Sequence, residues 1–178
     1  MKHTFFFLLF SFPIILFCQK DTKKGSIISE YGSTYSIENT DFKTDTTNDL
    51  KVVFDVGRSL GDNTKINPLI NTAARYLNMH VDAGVPFENM KVALVIHGNA
   101  ANDILQDKNY QEKFGIINPN TDLLTALSAK GVQIILCGQT AAHRNIEKQD
   151  IHPRVQIALS AMTALVQLQN KNYKLINF

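Results

Sequence analysis

From Leu50 onward the apolar positions fall into two alternating rhythms. Lys51-Val52-Val53-Phe54-Asp55-Val56 is a β-branched run stopped by Gly57, and it predicts a strand. Asn67-Pro68 then offers a helix N-cap with proline at the first helical position. Leu69, Ile70, Ala73, Leu77 and Val81 recur at helical spacing until Gly84 and Pro86 end the run. Lys91-Val92-Ala93-Leu94-Val95-Ile96-His97 is apolar on both faces, as a parallel strand covered on each side would be.

The same alternation continues to the end of the chain. Ala101 to Leu105 predicts one helical turn, and Tyr110 to Asn118 reads as a loop broken by Gly115. Asn120-Thr121-Asp122 opens a helix carrying Leu123, Leu124 and Leu127, closed at Gly131. Val132 to Cys137 is the next strand, and Val155 to Leu159 a shorter one. Ser160 caps a helix with Met162, Leu165, Val166 and Leu168, and Tyr173 to Ile176 alternates as an edge strand should.

Strands separated by helices of about 10–15 residues imply βαβ units and a largely parallel sheet of about five strands. Right-handed crossovers then bring the loops that follow the strands to one rim. His97-Gly98-Asn99 and Cys137-Gly138-Gln139 are two such loops, so they are expected as neighbours.

The first 48 residues have neither rhythm. Lys2 and His3 precede Phe5-Phe6-Phe7-Leu8-Leu9-Phe10, and the apolar run resumes through Phe17, a signal-peptide pattern over residues 1–18. A membrane span needs about 20 apolar residues, and Lys20, Asp21, Lys23 and Lys24 close the stretch too early. Export, periplasmic or secreted, is therefore the expectation. Cys18 either precedes the cleavage point or is acylated as a lipid anchor; bulky Phe17 favours the former. Residues 19–48 are rich in Ser, Thr, Asn, Asp and Lys, which suits a polar tether laying one or two strand-like pieces on the domain. Residues 49–178 form the domain itself.

Composition removes several functions. A hydrophobic content of 44% with 19% charged residues describes a globular chain. The net charge of +2 leaves no basic stripe for a nucleic acid. No phosphate-binding glycine pattern follows the first strand, no Cys-x-x-Cys or Gly-x-Ser-x-Gly occurs, and the five histidines are scattered rather than set at metal spacing. No metal or cofactor is expected.

Cys137 is what remains. With Cys18 removed or acylated, it is the single thiol of an exported protein. Gly138 frees a turn, and Gln139-Thr140-Ala141-Ala142 starts a helical turn whose N–H groups would face a sulfur anion. His97, His143 and Arg144 are candidate supporting charges; His80 is expected on an exposed helix face and His152 in a loop. A cysteine packed inertly in the core is the competing reading, since free cysteine is among the most buried residue types.

Several of these stretches, in order, resemble the DsrE/DsrF-like family: Lys51–Val56, Val95-Ile96-His97-Gly98-Asn99-Ala100, Gly131-Val132 through Leu136-Cys137-Gly138, and Ala164-Leu165-Val166-Gln167-Leu168-Gln169 before Tyr173. The resemblance spans Leu50 to Phe178 and is nearest to small stand-alone members. It implies a flavodoxin-like sheet, assembly as a trimer or hexamer, and a persulfide on Cys137. The protein would then be a sulfur carrier or sulfurtransferase, with His97 as a neighbour, Gly98, Asn99, Gly138 and Gln139 around the substrate, and a donor or acceptor protein as partner. The alternative is a non-catalytic ligand-binding or assembly module. The family's sulfur-relay members work in the cytoplasm, whereas this chain carries an export leader.

Overall fold

The computed structural model describes residues 22–178; the leader expected over residues 1–18, with Cys18, lies outside the described residues. Five parallel strands form one sheet: β1 (Leu50–Val56), β2 (Met90–Ile96), β3 (Gln133–Cys137), β4 (Gln156–Ala158) and β5 (Lys174–Asn177). Their spatial order is β4-β3-β2-β1-β5. The helices are α1 (Pro68–Asp82), α2 (Asp107–Phe114), α3 (Thr121–Ala129), α4 (Gly138–His143) and α5 (Ala161–Asn170).

Handedness dictates the layering. The chain steps from β1 to β2, β3 and β4 in one direction, then crosses the whole sheet to β5. Right-handed connections place helices on one face for the first direction and on the other for the return. Accordingly α1, α2, α3 and α4 contribute buried side chains to the cluster around Phe54, Leu94 and Ile134. Among the described helices, α5 alone covers the opposite cluster of Val53, Ala93, Val95 and Ile135.

This reversal has a local consequence. The chain leaves β3 toward α4 on one face, and leaves the adjacent β4 toward α5 on the other. Diverging loops of this kind open a crevice at the carboxyl ends of neighbouring strands, where α/β sheets hold ligands. Cys137 is the last residue of β3.

Both expected helix starts are present: Asn67 accepts the Leu69 N–H at 2.9 Å, and Ser160 accepts the Thr163 N–H at 3.0 Å. The segment 110–118 differs from expectation. It is helical through Phe114, because Tyr110 and Phe114 pack ring to ring one turn apart (4.6 Å between centroids) and Tyr110 is buried. Gly115, at φ 78°, ends the helix. The turn expected from Ala101 is a longer 3-10 segment, Gly98–Ile104.

A buried polar cluster ties the loops after β1 and β2 together. Asp103 accepts from Ser59 Oγ (3.0 Å) and Asn67 Nδ2 (2.7 Å), while Asn118 Nδ2 donates to the Asp103 carbonyl (3.0 Å). Asn120 Oδ1 in turn accepts the Asn67 N–H at 2.7 Å. Burial pushes the Asp103 carboxyl above its usual range, only partly offset by Asn67 and Ser59.

At the other end of α1, Asn78 holds the N-terminal segment. Its side chain accepts from Ile27 and Ile28 N–H and donates to the carbonyls of Ile28, Tyr31 and Gly32. Ile28 and Thr34 are buried there, and Lys23 and Thr34 pair as a single antiparallel bridge. No described helix is long and apolar enough to cross a membrane.

Candidate functional site

Three polar side chains stand on one face of the sheet at its carboxyl rim. Alternation along β1 sends Phe54 and Val56 to the α1 side and Val53 to the α5 side, so Asp55 also points toward the α5 side. Along β2, Ala93 and Val95 face α5, and His97 continues that row. Along β3, Ile135 faces α5, and Cys137 follows two residues on.

Register completes the picture. Ile96 is level with Leu136, and Cys137 is level with Ala158, so His97 and Cys137 stand side by side on adjacent strands. The spacing between neighbouring strands is about 4.8 Å. The rim placement expected for both residues is therefore what the structure has.

The ring of His97, however, does not turn to the thiol. Its Nε2 lies 2.8 Å from Asp55 Oδ1, with the two side chains 35% and 17% exposed. Gly57 makes this possible: a Cβ there would come within 2.6 Å of His97 Cε1. Gly98, at φ 53°, lies so close to the Gly57 carbonyl that a Cβ would stand 2.5 Å from its oxygen. The loop after β2 thus lies directly on the loop after β1.

Cys137 is only 6% exposed. Burial by itself pushes its thiol up, but the Thr140 N–H and hydroxyl, the Ala161 N–H and the Gln139 N–H outweigh that, and the thiol sits below its ordinary value. The Cys137 side chain makes no capping hydrogen bond to α4. Three of the four groups that hold the thiol down come from Gln139 and Thr140 in α4, and one from Ala161 at the beginning of α5 on the opposite wall of the crevice. The site can stabilise a sulfur anion.

The other residues expected at the site take distinct roles. The Gly98 N–H donates to Thr140 Oγ1 (3.3 Å), which joins the His97 loop to the sulfur's surroundings. Gly138 is needed for close approach: a Cβ would lie 2.5 Å from the Ala158 carbonyl oxygen and 3.1 Å from that of Leu159. Gln139 Nε2 donates to the Leu159 carbonyl (3.3 Å), bracing the β4–α5 connection. Asn99 is exposed and accepts from Arg144 at 2.6 Å.

Arg144 is thus engaged away from the sulfur, and His143 is exposed at the far end of α4, about 9 Å of helix from the thiol. His80 is half-buried with Nδ1 on the Tyr76 carbonyl (2.8 Å), instead of exposed. His152 is buried, its Nε2 3.1 Å from Thr125 Oγ1, and burial first, then Arg154, holds its imidazole below the usual range.

Sequence reasoning missed Asp55 and Ala161, and of Thr140 it expected the N–H but not the hydroxyl. Asp55 did leave a signal, as a carboxylate inside an otherwise apolar strand two residues before a glycine. Ala161 left none, because its contribution is a backbone N–H delivered by a distant helix.

Comparison with known proteins bears on the fold and the family. No curated protein matches the chain. Among solved structures, it is similar to the protein of unknown function MTH1491 from Methanobacterium thermoautotrophicum, at 18% identity and a TM-score of 0.56, over 73% of this chain and 100% of that one. It is also similar to the ychN protein from E. coli, at 19% identity and a TM-score of 0.53, over 72% of this chain and 99% of that one. At such identities the likeness concerns the fold, the same parallel α/β sheet. The sequence itself matches the DsrE/DsrF-like family across residues 51–178, which contain every strand but the first residue of β1 and the whole rim around Cys137, and the chain belongs to that family.

Proposed function

We propose that the protein is an exported carrier of sulfane sulfur, which it holds as a persulfide on Cys137. The observation that carries this reading is the seat of Cys137 at the end of β3 in the switch-point crevice, where Thr140, Ala161 and Gln139 hold its thiol below the ordinary value despite burial. A thiolate is the form that accepts sulfur, and a cysteine that merely packs has no use for converging donors. Export rests on the leader pattern of residues 1–18.

The carrier acts as a homo-oligomer, a trimer or hexamer as family resemblance implies. Leu159 and Met162, at 72% and 74% exposure, together with Val166 one turn further along α5, present an apolar strip beside the crevice that suits a subunit contact. Light scattering on the mature protein tests this; a monomer at micromolar concentration removes it.

The 6% exposure of Cys137 favours a second reading, an inert cysteine in a non-catalytic assembly or ligand-binding module. Intact mass after polysulfide treatment separates the two. The carrier gains one sulfur per chain, and the Cys137→Ser variant gains none. A wild-type chain that gains nothing, and whose thiol alkylates only after denaturation, establishes the inert reading instead.

A further inference from the structure

We propose that Asp55 is a positioning residue for sulfur transfer: it fixes the His97 ring through Nε2–H, leaving Nδ1 to protonate the thiolate that departs from the sulfur donor. The inference rests on the reading of Cys137 as a sulfur carrier. It begins from the placement of Asp55, His97 and Cys137 in one row across β1, β2 and β3, all on the α5 face of the rim.

A carboxylate accepts only, so the 2.8 Å contact to Asp55 Oδ1 puts a proton on His97 Nε2. Neutral His97 therefore offers Nδ1 as its basic atom. A simple clamp between strands is a poor account of the pair. β1 and β2 are already joined by a ladder from Leu50 and Met90 to Val56 and Ile96. The ring's seat moreover requires glycine at position 57. Other nearby charges are engaged elsewhere, Arg144 on Asn99 and Arg58 on the Phe178 carbonyl.

The step balances without an oxidant. Cys137 gives its proton to solvent, and His97 takes up a proton from solvent at Nδ1. The thiolate attacks the outer sulfur of a thiol persulfide, R–S–S–H. A new S–S bond forms at Cys137, the bond between that sulfur and R–S breaks, and R–S⁻ leaves with the electron pair. His97 then passes its proton to R–S⁻, giving R–SH and Cys137–S–SH. Because His97 sits beside Cys137 and not upon it, its effect falls on the outgoing thiolate and not on the attacking sulfur.

That distinction supplies the test. Single-turnover sulfur uptake by the full mature chain is measured with two donors, cysteine persulfide and an aryl persulfide whose thiol is acidic. Iodoacetamide alkylation of Cys137 runs in parallel. An alkyl thiolate is the poorer leaving group and gains from protonation as it departs, whereas an acidic aryl thiolate and iodide gain little. Asp55→Asn and Gly57→Ala are expected to slow uptake from cysteine persulfide by about tenfold or more, within what general acid catalysis contributes. Uptake from the aryl donor and alkylation stay within about twofold of wild type, since positioning acts only through the departing proton.

Nitrogen-15 shifts of the His97 ring should show the Nε2–H tautomer in wild type and a mixture in Asp55→Asn. Equal losses with both donors, or no loss with either, overturn the role of Asp55 while leaving Cys137 as a carrier. Failure of wild type to take sulfur from any donor overturns the carrier reading itself.

Discussion

Gly138→Ala is the perturbation that probes fold and site together. The added methyl would stand 2.5 Å from the Ala158 carbonyl oxygen and 3.1 Å from that of Leu159. Ordinary contact begins near 3.4 Å, so the Ala158 carbonyl must retreat by about 0.9 Å. What it retreats with is the whole of β4, three residues long, paired to β3 from Gln156 with Ile135 to Ala158 with Cys137. Overpacking of this kind costs about 1–3 kcal/mol, and each ladder hydrogen bond weakened adds about 1 kcal/mol.

The expected loss is then about 2–4 kcal/mol, or about 4–16 °C in Tm for a chain of this size. The same displacement carries Leu159, Ser160 and Ala161 away from Cys137, removing one of the donors that hold its thiol down and uncovering the sulfur. Alkylation of native Cys137 by iodoacetamide should therefore be faster in the variant, by about tenfold, even though the protein is less stable. Urea denaturation and alkylation kinetics measure the two effects on one sample. A variant with an unchanged midpoint and wild-type alkylation would refute the claim that the β4–α5 connection seals the thiol.

Asn78→Ala removes the five side-chain hydrogen bonds that Asn78 makes to residues 27–32, leaving the Gly32 N–H on Asn71 Oδ1 (2.9 Å), and should cost about 2–4 kcal/mol. Limited proteolysis ought to cut first within residues 22–48 and leave the sheet intact; simultaneous loss of both would show that the segment is integral to the domain's folding. Asp103→Asn tests the buried carboxylate. Its folded pKa is raised, so the folded state binds more protons, and wild-type stability falls as pH rises above the ordinary carboxylate value of about 3.9. The variant should lack that slope and be more stable at pH 7 by on the order of 1 kcal/mol, with Ser59 turning to accept from the new amide. Parallel stability–pH curves for the two proteins would contradict it. Lastly, Met162→Lys with Val166→Lys should lower the oligomeric state without altering the circular dichroism of the subunit, as both side chains are exposed on α5; an unchanged mass in light scattering would place the contact elsewhere.

Much of the fold was legible because its signals are local. Asn67-Pro68 and Ser160 start their helices through bonds to residues two or three positions away. The strand runs announce themselves by β-branched clusters and glycine stops. Residues 107–114 escaped because Asp-Lys-Asn-Tyr-Gln-Glu-Lys-Phe buries only Tyr110, and one aromatic pair carries too little periodicity to outweigh six polar neighbours. His152 lies in a loop, as a histidine before proline suggests, but nothing nearby in sequence reveals its burial or that Thr125 waits to pair with it.

The sequence by itself determined that Cys137 and His97 end parallel strands, and hence that they share a rim, since handedness and strand period leave little choice. It did not determine which groups they meet there. Strand order and register, fixed by crossovers spanning tens of residues, put Asp55 rather than Cys137 against the His97 ring. The return of the chain through α5 decided which side of the crevice closes over the thiol and supplied the Ala161 N–H. Those are long-range contacts among backbone and side-chain atoms, and periodicity in a chain carries no record of them.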